Sequence, residues 1–160
     1  MNGDTKEISK ILSERGLTIS TCESCTAGGL SYELTKIRGS SNWFIGGLIT
    51  YSNFSKSKLL GINISFINIY GAVSIKVSQE MVRSCLNKFK SDISVSITGY
   101  AEKNDNDGLV YISIGTRYEL ETFKINVTDS RELNRNFIIK KTIEFLLKFL
   151  KKNKIINKNA

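Results

Sequence analysis

A polar segment between a predicted strand and a predicted helix carries the side chains best suited to chemistry. It runs from Thr21 to Gly29, reads TCESCTAGG, and follows a short β-prone run at 17–22. In α/β proteins, ligands bind beyond the carboxyl ends of strands, where helix N-termini offer free backbone N–H groups. Ser24 would present a hydroxyl where an oxyanion can be stabilised, and Gly28 and Gly29 would let a substrate approach the main chain. An ordinary capped turn has the same composition, so this segment alone leaves both interpretations open.

A second polar cluster follows the next predicted strand. Two glycines precede the run Thr50 to Lys56, TYSNFSK, again at a strand-to-helix junction. Because the two junctions can face each other, Ser24, Tyr51 and Lys56 are candidates for one site. A serine nucleophile without histidine needs another base. A lysine can be that base when burial or a nearby cation lowers its pKa. A tyrosine can relay the proton or hydrogen-bond to the lysine. A solvent-facing Lys56 beside a buried Tyr51 is the alternative interpretation.

The chain of 160 residues contains no histidine and no proline. The absence of histidine excludes Ser-His-Asp and Cys-His nucleophile systems and every zinc site that contains histidine. Any proton shuttle must therefore use lysine, tyrosine, a carboxylate or a cysteine. Cys22 and Cys25 form a CxxC motif, which leaves a redox role as an alternative. A single such pair without histidine cannot complete a four-ligand zinc site, so we expect no metal.

Cysteine usage and hydropathy indicate the compartment. The three cysteines are an odd number in a chain too long to depend on disulfides. The amino end shows no signal-peptide pattern, and no apolar run approaches 18 residues. We therefore expect a cytoplasmic protein with no membrane partner.

The net charge of +8 is concentrated at one end of the chain. Residues 140–160 carry seven lysines and one acidic residue, Glu144. Such a cluster can form an arm for nucleic acid or an anionic membrane. It is also typical of lysines near the negative end of a terminal helix, followed by a solvated tail. Because no aromatic residue for base stacking follows Phe149, we favour a basic tail at 153–160 and disfavour a nucleic-acid partner.

Hydrophobic periodicity predicts an α/β fold. We expect helices near 4–15, 26–36, 53–60, 74–89 and 130–152, and strands near 17–22, 44–51, 93–98, 109–115 and 120–127. Helices that separate the early strands imply crossovers, hence one three-layer α/β/α domain over residues 1–152 with a mixed, mostly parallel sheet. The 74–89 helix should bury a stripe of Val77, Met81, Val82, Cys85 and Phe89. The last helix should bury Leu133, Phe137, Ile138, Ile143, Leu146, Leu147 and Leu150.

Seven short motifs in order point to a family. They are Glu23-Ser24-Cys25-Thr26-x-Gly28-Gly29, Gly39-Ser40-Ser41, Gly46-Gly47, Thr50-Tyr51-Ser52-Asn53-x-x-Lys56, Leu60-Gly61, Gly71-Ala72-Val73-Ser74 and Thr98-Gly99-x-Ala101. The series resembles the carboxy-terminal domain of the competence/damage-inducible CinA proteins, over about residues 5–150. That domain also occurs alone as the PncC-type nicotinamide-nucleotide amidase. We expect this stand-alone form, without the amino-terminal molybdopterin-binding-like domain of longer members.

The resemblance implies an activity and a set of roles. The activity is hydrolysis of the carboxamide of nicotinamide mononucleotide to nicotinate mononucleotide and ammonia, by a homodimer without metal or organic cofactor. The implied catalytic residues are Ser24 as nucleophile, Lys56 as general base and Tyr51 as its hydrogen-bonding partner. The implied pocket residues are Thr26, Gly28, Gly29, Gly46, Gly47, Thr98 and Gly99. Arg131 and Arg135 match basic positions suited to a ribosyl phosphate, although salt links to Asp129 or Glu132 are the alternative. The residues alone do not choose between Ser24, Cys25 and Thr26 as nucleophile.

One loop departs from the family pattern. Where the family carries a Gly-Pro-Gly-Gly loop followed by Lys-Pro, residues 102–108 read EKNDNDG, without proline and with net charge −2. A glycine-rich loop exposes N–H groups to a phosphate, whereas an acidic loop repels it. Two outcomes are therefore open: an amidase that keeps its activity, or a catalytically impaired domain that keeps only its fold. A binding role in DNA uptake or repair is a third, drawn from the family's name.

Overall fold

A computed structural model describes residues 2–103, 107–153 and 158. These residues form six α-helices, five strands and a 3-10 turn at Ser40–Asn42. The elements in chain order are α1 (Asn2–Arg15), β1 (Ile19–Glu23), α2 (Gly29–Thr35), β2 (Phe44–Ile49), α3 (Asn53–Leu60), α4 (Ile64–Tyr70), α5 (Ile75–Phe89), β3 (Ile93–Gly99), β4 (Leu109–Gly115), β5 (Leu120–Asn126) and α6 (Arg131–Lys152).

The strands form one sheet in the order β2-β1-β3-β4-β5. β1 pairs in parallel with both β2 and β3, whereas β4 pairs antiparallel with β3 and β5. The carboxyl ends of β1, β2 and β3 therefore meet at the same edge of the sheet. The prediction of an α/β fold with a mixed sheet is confirmed.

Helices cover both faces of the sheet. Apolar side chains of α1, α2 and α6 form one buried cluster with the sheet, and those of α3, α4 and α5 form a second cluster on the other face. β3 shows how one strand serves both layers. Its Val95 and Ile97 join the first cluster, whereas Ser96 points towards α5 and donates to the Ser78 carbonyl at 2.7 Å. Both faces of the strand are thus buried, which explains its alternation of apolar residues and serines.

Helix α4 was not predicted from the sequence. Its residues, ISFINIY, are rich in β-branched and aromatic side chains with modest helix propensity. The helix is nevertheless bounded by clear signals. The Asn63 side chain accepts a hydrogen bond from the Ser65 amide at 2.8 Å, and Gly71 ends the helix with φ of 83°. These end signals outweigh weak intrinsic propensity.

The start of α6 differs from the prediction. Leu133 and Phe137 are 59% and 42% exposed, whereas the other five predicted core residues of this helix are buried. The inward position is taken by a polar residue, Asn134, which is 1% exposed. Its side-chain amide donates to the carbonyls of Ala101 and Asp129 at 2.9 and 2.6 Å. The prediction for the two apolar residues was wrong because a hydrogen-bonded asparagine anchors this end of the helix.

Most of the predicted basic tail lies outside the described residues. Asn153 follows α6 and is buried, and its carbonyl accepts a hydrogen bond from Arg15. Lys158 lies 2.6 Å from a carboxylate oxygen of Asp92. Among the described residues, no helix is both long and apolar enough to cross a membrane.

Candidate active site at the carboxyl ends of β1 and β2

A strained turn joins β1 to α2. We call residues 24–28 the serine turn. Ala27 and Gly28 both adopt left-handed conformations, with φ of 48° and 92°. Left-handed backbone is rare for a residue with a Cβ, and such strain concentrates at functional sites. Because of it, α2 begins at Gly29 and not near residue 26 as predicted.

The last residue of β1, Glu23, holds this turn. Its side chain is 1% exposed. One carboxylate oxygen accepts hydrogen bonds from the Thr26 hydroxyl at 2.7 Å and the Leu30 amide at 2.9 Å. The other accepts from the amide and hydroxyl of Ser31, at 2.9 and 2.7 Å. The carboxylate therefore caps the N-terminus of α2 from the end of the neighbouring strand. Glu23 is part of the first sequence motif, but its residue type and spacing alone predicted no role for it.

Lys56 reaches the serine turn from the second junction. A capping box between Ser52 and Ser55 stabilises the N-terminus of α3, and Lys56 lies in the first turn of this helix. Its side chain is 1% exposed, and Nζ lies 3.2 Å from Ser24 Oγ. Nζ also donates to the Thr50 carbonyl at 2.9 Å. The structure thus brings together two residues that are 32 positions apart in the chain.

The surroundings of Lys56 favour its neutral form. Burial lowers the pKa of the Lys56 ammonium below its ordinary value, and the nearby Cys25 and Cys22 oppose this shift only in part. Among the described residues, no carboxylate forms a salt bridge with the ammonium. A neutral amine beside a serine hydroxyl can accept its proton.

Tyr51 has a different partner from the expected one. Its side chain is 52% exposed, and its hydroxyl accepts a hydrogen bond from Arg131 at the start of α6. It is the main-chain carbonyl of Tyr51 that faces Ser24, 3.4 Å from the serine Oγ. The Tyr51 hydroxyl thus accepts a hydrogen bond from Arg131 in place of the predicted hydrogen bond with Lys56, and half of the tyrosine side chain is exposed.

A cleft of about 680 Å³ lies between the serine turn and α6. Arg131 and Arg135 line it from α6, and Arg135 Nε donates to the Cys25 carbonyl at 2.7 Å. Arg131 Nη1 lies 3.4 Å from Glu102, in the loop that departs from the family pattern. Neither arginine forms the predicted alternative salt link to Asp129 or Glu132 in the described part of the chain. The remaining lining residues are Thr26, Ala27, Gly28, Gly29, Tyr32, Glu132, Asn136 and Ile139.

Two of the predicted pocket glycines, Gly46 and Gly47, lie inside β2, where neighbouring side chains come close to the main chain. A Cβ on Gly47 would collide with the side chains of Thr21 and Ser31, and one on Gly46 would come 2.8 Å from the Phe89 ring. Neither glycine is among the residues that line the cleft between the serine turn and α6, and their role in a substrate pocket stays a prediction. They lie within a strand where neighbouring side chains leave no space for a Cβ.

The end of β3 is also closely packed. The Thr98 hydroxyl donates to the Ala72 carbonyl at 2.8 Å, and Thr98 is 1% exposed. A Cβ on Gly99 would come 2.7 Å from the Val110 backbone. The structure therefore commits both residues to internal contacts and does not bring them to the cleft lining.

The three candidate nucleophiles differ in their surroundings. Burial raises the pKa of the Cys25 thiol to about 11, so it is protonated at neutral pH. The Thr26 hydroxyl is committed to the Glu23 carboxylate. Ser24 is the member of this group whose side chain lies within hydrogen-bonding distance of Lys56 Nζ. All three cysteines of the chain are free thiols.

Sequence comparison finds relatives that align with most of this chain. Over 151 residues the chain is 39% identical to a competence-damage inducible protein of Halothermothrix orenii, covering 91% of this chain and 37% of that protein. It is 35% identical over 151 residues to a CinA-like protein of Flavobacterium psychrophilum, covering 91% of this chain and 36% of that protein. The chain thus spans little more than a third of the length of these relatives.

Structural comparison gives the same family. A crystal structure of a CinA superfamily protein from Klebsiella pneumoniae superposes with a TM-score of 0.88 at 25% identity, covering 94% of this chain and 97% of that one. A competence or damage-inducible protein from Enterobacter asburiae gives 0.86 at 28% identity, covering 92% and 96%. The family sequence model described as the CinA C-terminal domain matches residues 3–150 of this chain. The resemblance inferred from the seven motifs is confirmed, and the chain belongs to the CinA C-terminal domain family.

Proposed function

We propose that the protein is a serine–lysine amidase that converts nicotinamide mononucleotide to nicotinate mononucleotide and ammonia. The observation that carries the proposal is the 3.2 Å separation of Lys56 Nζ and Ser24 Oγ, with both side chains buried at the carboxyl ends of neighbouring strands. Family membership supports an amidase-type role. The substrate follows from the resemblance, together with two arginines beside the serine turn.

The chemistry uses the chain's own residues. Neutral Lys56 takes the Ser24 proton as Oγ attacks the carboxamide carbon, and a tetrahedral intermediate forms. When the C–N bond breaks, the Lys56 ammonium returns that proton to the leaving nitrogen, which departs as ammonia. Water then attacks the resulting ester with Lys56 again as base. The products are the carboxylate and free Ser24.

Backbone amides of the serine turn are suited to stabilise the oxyanion. The amides of Ala27 and Gly29 already donate to carbonyls within the turn. Among the described residues, the amides of Thr26 and Gly28 donate to no backbone or side-chain acceptor, whereas the Cys25 amide faces its own thiol. In such sites, loss of one donor costs on the order of 100-fold or more in rate. We therefore expect the oxyanion to lie against the amides of Thr26 and Gly28.

The guanidinium groups at the start of α6 are suited to bind the phosphate of the nucleotide. Arg131 and Arg135 line the same cleft as Gly28 and Gly29. A planar guanidinium suits bidentate binding of a phosphate. We expect the carboxamide to face Ser24 and the ribosyl phosphate to face α6. We expect a homodimer, as the family resemblance implies, and a cytoplasmic protein, as the cysteine usage indicates.

The direct test is ammonia release from nicotinamide mononucleotide by the purified protein. Wild type should release ammonia and nicotinate mononucleotide in equal amounts, measured enzymatically and by chromatography. Ser24→Ala should abolish both while its thermal unfolding midpoint stays near wild type. Ser13→Ala, an exposed serine in α1, is the matched control and should retain full activity. If folded wild type releases none over hours, the amidase is rejected in favour of a catalytically impaired CinA-like domain.

A further inference from the structure

Glu23 has a buried side chain in which both oxygens are fully occupied by hydrogen bonds. A carboxylate offers about four lone-pair sites, and Glu23 receives four hydrogen bonds, two on each oxygen. Two of the donors are backbone amides, which cannot accept a proton in return. Among the described residues, no lysine or arginine pairs with this carboxylate. The groups that face it are two hydroxyls and two amides at the N-terminus of α2.

The same residue is connected to both halves of the candidate site. Through its side chain it binds Thr26 of the serine turn and the first residues of α2. Through its main-chain carbonyl it accepts a hydrogen bond from the Thr50 amide at 2.7 Å. The Thr50 carbonyl in turn accepts from Lys56 Nζ. Glu23 thus spans the junction that carries Ser24 and the junction that carries Lys56.

The serine turn needs such an anchor. Ala27 has φ of 48°, a conformation that a free chain rarely adopts at alanine. A strained residue persists only when surrounding contacts determine its conformation. The bonds from Glu23 to Thr26 and Leu30 lie on either side of Ala27. If the turn relaxed, its unpaired amides would rotate and Ser24 would move. These two hydrogen bonds oppose that change.

We propose that Glu23 is a positioning residue for the amidase, an inference that rests on the proposed function. Its carboxylate holds the serine turn so that Ser24 Oγ lies beside Lys56 Nζ and the amides of the turn remain free. Glu23 does not touch the reacting atoms and exchanges no proton. Its effect passes through the geometry of the turn.

Thr26→Val tests the proposal because it removes one of the four bonds and keeps both the size of the side chain and the charge of Glu23. Glu23→Gln removes the charge and leaves an amide facing backbone donors. Thr142→Val is the matched control, since Thr142 is also buried and its hydroxyl donates to a carbonyl, that of Ile138 within α6. The measurements are kcat and KM for nicotinamide mononucleotide, the thermal unfolding midpoint, and the rate at which a small sulfonyl fluoride labels Ser24, followed by intact mass.

A positioning role predicts a specific pattern in folded protein. In Thr26→Val, kcat and the labelling rate should fall by about tenfold to 100-fold, with KM within about twofold of wild type, as expected for a misplaced reacting group. The pH midpoint of kcat should not move, because the carboxylate is retained. Glu23→Gln should show a loss at least as large, and Thr142→Val should keep wild-type kcat and labelling.

The opposite results would overturn the proposal. Unchanged kcat and labelling in folded Thr26→Val and Glu23→Gln would leave Glu23 as a stabilising residue only. A shifted pH midpoint in Thr26→Val, or a change confined to KM, would also reject positioning. The labelling arm separates the two proposals. If wild-type protein releases no ammonia, the amidase is rejected. If its Ser24 is still labelled faster than Ser24 of Thr26→Val, the positioning role of Glu23 is supported.

Discussion

Lys56 Nζ lies 3.2 Å from Ser24 Oγ, in surroundings where the lysine side chain is only 1% exposed. Burial lowers the pKa of this lysine, and the neutral amine is the form that can remove a proton. The ability of Lys56 to remove the Ser24 proton should therefore increase with pH.

The rate of ammonia release should rise as pH increases through the lowered pKa of Lys56. Below this pKa the ammonium cannot act as a base, and above it kcat should reach a plateau. Lys56→Met should lower kcat by about 100-fold or more and remove this rise. The measurement is kcat against pH, with Lys58→Met of α3 as control. A pH profile that persists in folded Lys56→Met would assign the base elsewhere.

Tyr51→Phe should raise KM and leave kcat within about twofold of wild type. The lost hydroxyl is the one that accepts from Arg131, so the change weakens the orientation of a phosphate-binding group. We expect an increase in KM of about threefold to tenfold, the scale of one hydrogen bond to a charged group at a partly exposed position. Tyr118→Phe, at an 87% exposed tyrosine, is the control for steady-state kinetics. A fall in kcat without a change in KM would instead support a role of Tyr51 beside Lys56.

Glu102→Gln should improve binding of the phosphorylated substrate. Glu102 lies 3.4 Å from Arg131, and both side chains are about half exposed, so the ion pair is weak but competes with phosphate. KM for nicotinamide mononucleotide should fall by about twofold to fivefold, and less at high salt. KM for nicotinamide riboside, which lacks the phosphate, should not change. An equal effect on both compounds would contradict competition for Arg131.

Gly47→Ala should destabilise the fold without altering substrate binding. The added methyl group collides with Thr21 and Ser31, and overpacking of this kind costs about 1–3 kcal/mol. Chemical denaturation measures the loss. Gly3→Ala is the control, because a Cβ there meets no atom within 4 Å. A raised KM in folded Gly47→Ala would support the expected pocket role of this glycine.

Side-chain partners were the least predictable feature from sequence. The outward direction of Tyr51, the exposure of Leu133 and Phe137, and the packing of Gly47 all depend on residues far away in the chain. Helix α4 was missed for a related reason, since its end signals and packing outweigh weak local propensity. The role of Glu23 likewise required knowing that α2 begins at Gly29.

The sequence by itself determined the α/β fold, the family and the pairing of the two junctions that carry Ser24 and Lys56. These follow from periodicity and from the rule that parallel strands end at the same edge of a sheet. The tertiary structure alone decided which groups touch: Lys56 with Ser24, Tyr51 with Arg131, and Glu23 with the serine turn. Periodicity is a property of the local chain, whereas a hydrogen bond requires both partners to be positioned in space.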